Sequence, residues 1–120
     1  IPGEFRPALP GAAAVELGHN FSLVHDDIED GDRFRHHRAT LWTVQGIPQA
    51  INTGDAIFSL SRIALHRLSD IGFSDSRVLR LMRLYDETCL ALCRAHLRPD
   101  ILGVLLARFA RDGYTRASAY

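Results

Sequence analysis

The sequence predicts an all-α chain of four or five helices. Apolar residues recur at helical spacing through three long stretches, 12–30, 48–69 and 75–93. Between them Gly31, Gly46, Pro48, Asp70 and Gly72 punctuate the chain with helix-stop residues. No run alternates convincingly enough to predict a strand, and no internal repeat is visible.

Taken in order, residues 1–11 carry Pro2, Gly3, Pro7, Pro10 and Gly11 and read as an irregular leader. Pro10 sits where a first helical turn tolerates proline. The first helix is expected from Ala12 to Asp30. Gly18 interrupts it at a cost of about 1 kcal/mol against alanine, which points to close packing there. Ala12–Val24 is apolar nearly all round and predicts burial. Gly31 ends this helix as a left-handed cap. A polar loop, Asp32–Ala39, follows.

Thr40 is placed to cap a short helix over Leu41–Gln45, broken at Gly46 and Pro48. The next helix, Pro48 to Ser69, contains Asn52-Thr53-Gly54-Asp55, with Asn52 and Asp55 expected as interior polar packing. Ser74 caps a helix from Asp75 to Cys93, whose Val78, Leu81, Met82, Leu84, Tyr85, Thr88, Cys89 and Leu92 form a broad apolar face. Cys89 and Cys93, one turn apart, read as small buried residues; without a second ligand pair they make a poor zinc site. After Cys93 the character shifts, with Arg94, Arg98, Arg108, Arg111 and Arg116 set against Asp100 and Asp112. Pro99 breaks the helix, one more is expected over 101–110, and the end is expected to fray. The organisation is thus a leader (1–11), a body (12–93) and a divergent tail (94–120).

With 120 residues there is enough chain for one small core. Hydrophobic residues make up 47%, which excludes compositional disorder. Basic and acidic residues are 14 each, so net charge gives no nucleic-acid or general membrane-surface footprint. All the basic residues are arginine. No apolar run approaches the roughly 18 residues of a membrane span, and no signal peptide is visible. A soluble cytoplasmic protein is the expectation.

The chemistry gathers at His25-Asp26-Asp27-Ile28-Glu29-Asp30, four carboxylates in five residues at a helix C-terminus. The helix dipole favours cations there, so the cluster stands against it, and a divalent cation is the natural compensation. Asp26 and Asp30 lie one turn apart and share a stripe with His19, flanked by Ser22. Oxygen ligands so spaced suit Mg²⁺, which keeps several waters and shares its remaining positions with substrate phosphates. The adjoining Arg33, Arg35, His36, His37 and Arg38 either neutralise the carboxylates or grip an anion that also holds the metals.

In context the motif closely resembles the trans-polyprenyl diphosphate synthases. The resemblance runs through Glu16-Leu17-Gly18-His19-Asn20-Phe21-Ser22-Leu23-Val24-His25-Asp26-Asp27-Ile28-Glu29-Asp30-Gly31-Asp32-Arg33-Phe34-Arg35. It continues through Thr40-Leu41-Trp42, Gly46 and Gln49-Ala50-Ile51-Asn52-Thr53-Gly54-Asp55, and covers about Ala12 to Cys93. It implies part of the isoprenoid synthase helical bundle, a class I fold of about 300 residues around one deep cavity. It also implies a Mg²⁺-dependent transferase that joins an allylic diphosphate to isopentenyl diphosphate. Asp26 and Asp30 would bind Mg²⁺, Asp27 would support them as a third catalytic carboxylate, and Arg35 would contact diphosphate. His19, with His36, would bind isopentenyl diphosphate. Phe21 and Ser22, at the fifth and fourth positions before Asp26, resemble the archaeal-type geranylgeranyl pattern and imply a C20 product. The complete family fold would form a homodimer or heteromer.

The chain departs from that pattern in several places. His36, His37 and Ala39 stand where the family has Arg, Gly and Pro. Gly3-Glu4-Phe5-Arg6-Pro7 lacks the lysine of the family's upstream substrate segment and lies too close to His19 to be it. The sequence has no second Asp-rich motif. Codons compatible with Arg94–Ile101 read, one base out of register, Gly-His-Ile-Tyr-Asp-Leu-Ile, near the family's continuation; a frameshifted or truncated gene is therefore expected for 94–120. The expectation is a fragment inactive alone that exposes helix faces meant to be covered. The rival readings are a non-catalytic helical subunit that pairs with an active synthase, and a helical bundle whose acidic end is only solvated.

Overall fold

The computed structural model describes residues 9–96, 98–101, 103, 104 and 107. The chain divides into two compact units, residues 1–82 and 83–120. Among the described residues the elements run α1 (Leu9–Asp30), β1 (Phe34–Arg35), β2 (Arg38–Ala39), α2 (Leu41–Gln45), α3 (Ile47–Asp70) and α4 (Asp75–His96). The all-α expectation holds, and α2 has the expected bounds.

The first helix begins three residues earlier than expected, at Leu9. Pro10 falls in its first turn, where the missing N–H has no intrahelical partner to lose. The rest of the leader, including Gly3–Pro7, lies outside the described residues, as do 111–120. Of the further helix expected over 101–110, Ile101, Gly103, Val104 and Ala107 are described and are helical, as are Pro99 and Asp100.

The core of the first unit is the antiparallel contact of α1 with α3. Its residues share one face of each helix: Ala14, Phe21 and His25 on α1, and Ala50, Gly54, Phe58, Ser61 and Leu65 on α3. Ala14, Ala50 and Ser61 are fully buried. Small side chains at these crossings let the backbones approach. Phe21 packs edge-on against Phe58, with ring centroids 4.9 Å apart. One turn further on, the His25 ring fills the space beside Gly54, where a Cβ would overlap it. Leu68 and Val78 extend the buried set.

Three expectations about burial fail. Within Ala12–Val24 only Ala14 is buried, because α3 covers a single stripe of α1. Asn52 and Asp55 are not interior either; both are exposed, the Asp55 side chain at 65%. Gly54 occupies the seam, and at 100° per residue its neighbours turn away from it. Leu60 and Ile63 on α3 are also exposed. In the second unit Leu84, Leu90 and Leu92 are exposed, Cys93 is exposed and Cys89 half-buried. Burial of the two cysteines is therefore corrected: their face of α4 is not closed over by other described residues of that unit. No helix is long and apolar enough to cross a membrane among the described residues.

Both long helices of the first unit end in the same way. At α1, the Gly31 N–H reaches the Ile28 carbonyl at 3.2 Å and the Asp32 N–H reaches the Asp27 carbonyl at 2.9 Å, with Gly31 at φ +70°. At α3, Gly72 N–H bonds Ser69 O at 3.3 Å and Phe73 N–H bonds Leu68 O at 3.1 Å, with Gly72 at φ +101°. These paired bonds are the Schellman arrangement, which satisfies carbonyls the helix leaves open. Ser74 caps α4 as expected, its Oγ accepting from Arg77 N–H at 3.3 Å.

The loop expected over 32–39 is instead a two-stranded antiparallel hairpin pairing Phe34 with Ala39 and Arg35 with Arg38. His36 and His37 form its tip at φ +49° and +65°. A two-residue turn with both central residues at positive φ matches the twist of the flanking strands. Strands of two residues carry no alternation to read, which is why the sequence pattern does not show them. Glycine takes positive φ freely and histidine does not.

His37→Gly is therefore expected to raise stability by about 1 kcal/mol in urea unfolding. Gly54→Ala is expected to lower it by about 1–3 kcal/mol through overpacking. Most of that loss should vanish in a His25→Ala background, where the ring that meets the added methyl is gone.

Candidate functional site

The acidic cluster and the hairpin form one local structure. The Gly31 turn reverses the chain, and the hairpin brings Arg35 back along α1 to Asp27. The Asp27 side chain is 9% exposed and Arg35 35%. Arg35 Nη2 donates to Asp27 Oδ1 at 2.7 Å, while Nε donates to Oδ1 at 3.0 Å and Oδ2 at 3.3 Å. This two-pronged pairing is the strong geometry for a guanidinium and a carboxylate. It holds the Arg35 pKa above its ordinary value, first through the Asp27 hydrogen bond, with the charges of Asp27, Asp32 and Asp26 adding and desolvation opposing. The stabilisation is complete below the ordinary arginine pKa and fades only in strong alkali above it.

The other carboxylates face differently. Asp26 is half-buried and Asp30 exposed, and both lie on the stripe that carries exposed His19. Ser22 Oγ donates to the His19 carbonyl at 2.7 Å, tying its hydroxyl to the helix backbone. Phe21 sits in the α1–α3 seam, edge-on to His25 at 5.9 Å as well as to Phe58. His25 Nε2 lies 3.4 Å from Asp55 Oδ1 and 3.4 Å from the Ile51 carbonyl. Of the expected site residues, the structure thus joins Asp27 to Arg35, aligns Asp26, Asp30 and His19, and sends Phe21 to the helix contact.

A cavity of about 440 Å³ opens between α1 and the hairpin. Arg35, His36 and Arg38 supply its basic groups, and Leu23, Val24 and Leu41 its apolar wall. Arg38 is exposed, and the hairpin register brings it to the cavity: directly opposed residues project on the same side of a ribbon, so Arg38 joins Arg35. The hairpin base is fixed through one carbonyl. Asp32 O accepts from Thr40 Oγ1 at 2.8 Å and from Trp42 Nε1 at 2.7 Å. Thr40 holds the expected cap position of α2 without a side-chain cap bond, because its hydroxyl is directed to Asp32. The Arg33 guanidinium lies over the Trp42 ring, 5.8 Å from its centre.

The donor chemistry fits a hard cation at Asp26 and Asp30: carboxylates one turn apart on α1, with Asp30 exposed and Asp26 half-buried. It does not fit one at Asp27, whose oxygens already accept from Arg35.

A family model described as polyprenyl synthetase matches residues 2–98. The chain belongs to the polyprenyl synthetase family. Over 91 residues it is 42% identical to a geranylgeranyl diphosphate synthase of Mycobacterium tuberculosis, covering 76% of this chain and 25% of that relative. Over 58 residues it is 53% identical to a (2E,6E)-farnesyl diphosphate synthase of Mycobacterium bovis, covering 48% and 16%. Among solved structures, a geranylgeranyl pyrophosphate synthetase from the archaeon Geoglobus acetivorans superposes with a TM-score of 0.68 at 35% identity, over 75% of this chain and 28% of that one. A polyprenyl synthetase from Streptomyces coelicolor A3(2) gives a TM-score of 0.52 at 43% identity, with the same coverage. The fold is therefore part of the isoprenoid synthase helical bundle, and the chain spans about a quarter of the curated relatives that match most of it.

Trp42→Phe removes one of the two donors to the Asp32 carbonyl and leaves Thr40. It is expected to cost about 0.5–1 kcal/mol, read as a lower urea midpoint with an unchanged slope.

Proposed function

We propose that this chain supplies one half of a Mg²⁺-dependent prenyl-transfer centre that condenses an allylic diphosphate with isopentenyl diphosphate. The observation that carries it is the alignment of Asp26 and Asp30 at the end of α1, beside an arginine that the hairpin holds in place. Asp26 and Asp30 would hold Mg²⁺, which supplies charge neutralisation for a departing diphosphate. Arg35 meets diphosphate oxygens with the N–H groups that Asp27 leaves open. His19, with His36 on the cavity wall, binds the isopentenyl diphosphate. The apolar wall of the cavity keeps water from the reacting carbons. The isopentenyl double bond attacks the allylic carbon as its bond to diphosphate breaks, and loss of a proton leaves a chain longer by five carbons.

Phe21 and Ser22, with the geranylgeranyl synthases among the relatives, favour a C20 product. Working in the cytoplasm, the centre is completed by a second carboxylate cluster facing the first, so these 120 residues alone bind ligands without turnover. A second reading rests on the exposed Leu60 and Ile63 of α3: a non-catalytic helical subunit that pairs with an active synthase. A changed product length on mixing with a full-length synthase would favour it.

Isothermal titration with Mg²⁺, then with inorganic pyrophosphate in excess Mg²⁺, tests the main reading. Wild-type chain is expected to bind both, and Asp26→Asn or Asp30→Asn to weaken Mg²⁺ binding about tenfold. Absence of binding to either ligand sinks the reading.

A further inference from the structure

Asp27 does different work from its two motif partners. We infer that Asp27 is a positioning residue for Arg35 and not a metal ligand: it fixes the guanidinium at the diphosphate site. The inference rests on the function proposed above and assigns a separate role inside it. Three features of the structure carry it. First, Asp27 is the buried carboxylate of the cluster, at 6% exposure for the whole residue, whereas Asp30 is exposed. A Mg²⁺ ion that keeps several waters needs room that Asp27 does not have. Second, both carboxylate oxygens accept from Arg35, and the guanidinium nitrogen at 2.7 Å from Oδ1 repels any cation brought to that oxygen.

Third, the pairing is side-on, through Nε and Nη2. Of the five guanidinium N–H bonds, one on Nε and one on Nη2 point to Asp27, leaving three for another acceptor. Asp27 itself is held from its backbone, since its carbonyl accepts the Asp32 N–H at 2.9 Å in the helix-ending turn. Both ends of the residue are therefore fixed, and the arginine it holds inherits that order. An anion meeting a pre-placed guanidinium loses less side-chain freedom than one that must order a mobile arginine. Arg38, opposite Arg35 in the hairpin, would repel an unpaired Arg35, so Asp27 also keeps the two like charges compatible.

The test separates metal from anion. Asp27→Asn is titrated with Mg²⁺ alone and with inorganic pyrophosphate in excess Mg²⁺, beside wild type, Asp26→Asn, Arg35→Gln and the Asp27→Asn/Arg35→Gln double variant. The expected result is unchanged Mg²⁺ affinity in Asp27→Asn with pyrophosphate affinity about tenfold weaker. In the Arg35→Gln background, Asp27→Asn should add no further loss. A merely structural role would not split the two ligands in this way. The inference is overturned if Asp27→Asn weakens Mg²⁺ binding as much as Asp26→Asn, or if the Asp27 and Arg35 effects on pyrophosphate multiply. Should Asp27→Asn lose its cooperative melt, the double variant, which removes both charges together, takes the Mg²⁺ measurement under the same criterion. Wild-type chain that binds neither ligand removes the proposed function and this inference together. Wild-type binding of both, with Mg²⁺ binding lost in Asp27→Asn, removes this inference alone.

Discussion

Everything in the first unit depends on how closely α1 can approach α3. The approach is set by residues without bulk: Ala14 on one helix, Ala50, Gly54 and Ser61 on the other. Gly54 is the tightest point, because the His25 ring occupies the space a side chain would need. His25 directly precedes Asp26 in the chain. The same contact that seats the imidazole therefore sets the rotation of α1 and turns the Asp26–Asp30 stripe away from α3. Phe21 against Phe58, one turn earlier, fixes that rotation at a second point. Two anchors a turn apart leave the helix little freedom to roll.

Beyond the seam, geometry comes from hydrogen bonds to a few carbonyls. The turn at Gly31 uses the carbonyls of Asp27 and Ile28, and the hairpin base uses the carbonyl of Asp32 twice. These bonds decide where Arg35 arrives. The arrangement meets the acidic cluster's electrostatic problem in two ways. One carboxylate, Asp27, is neutralised by protein through Arg35, while Asp30 stays exposed.

Helix limits were legible in the sequence because their causes are local. Gly31, Gly72, Ser74 and Pro48 act within a turn of themselves, and α2 was predicted to the residue. The motif was legible because resemblance fixed its register over Glu16–Arg35. What escaped was set by partners distant in sequence or by backbone angles. Periodicity could not say that α1 would be covered along one stripe only, since that depends on what packs against it. Asn52 and Asp55 read as interior because they flank a buried glycine, yet each lies more than a quarter of a turn from it. The hairpin was invisible because its strands are two residues long and its tip carries histidines, not glycine. Once the hairpin was missed, so were the placement of Arg38 beside Arg35 and the pairing of Arg35 with Asp27.

The span between interacting residues at the site has a kinetic meaning. Asp27 and Arg35 are eight positions apart, as are Asp32 and Thr40, and Asp32 and Trp42 are ten apart. Closing loops of that size takes on the order of 10–100 ns and costs little chain entropy. The contacts of His25 with Ile51 and Asp55 span 26 and 30 positions and form only when α3 docks. Contact order thus separates the two halves of the architecture: the ion pair and hairpin are made of short-range contacts, and the helix seam of long-range ones, which carry the larger loop-closure cost. A growing chain holds every residue of the arginine clasp around Asp27 before α3 has left the ribosome.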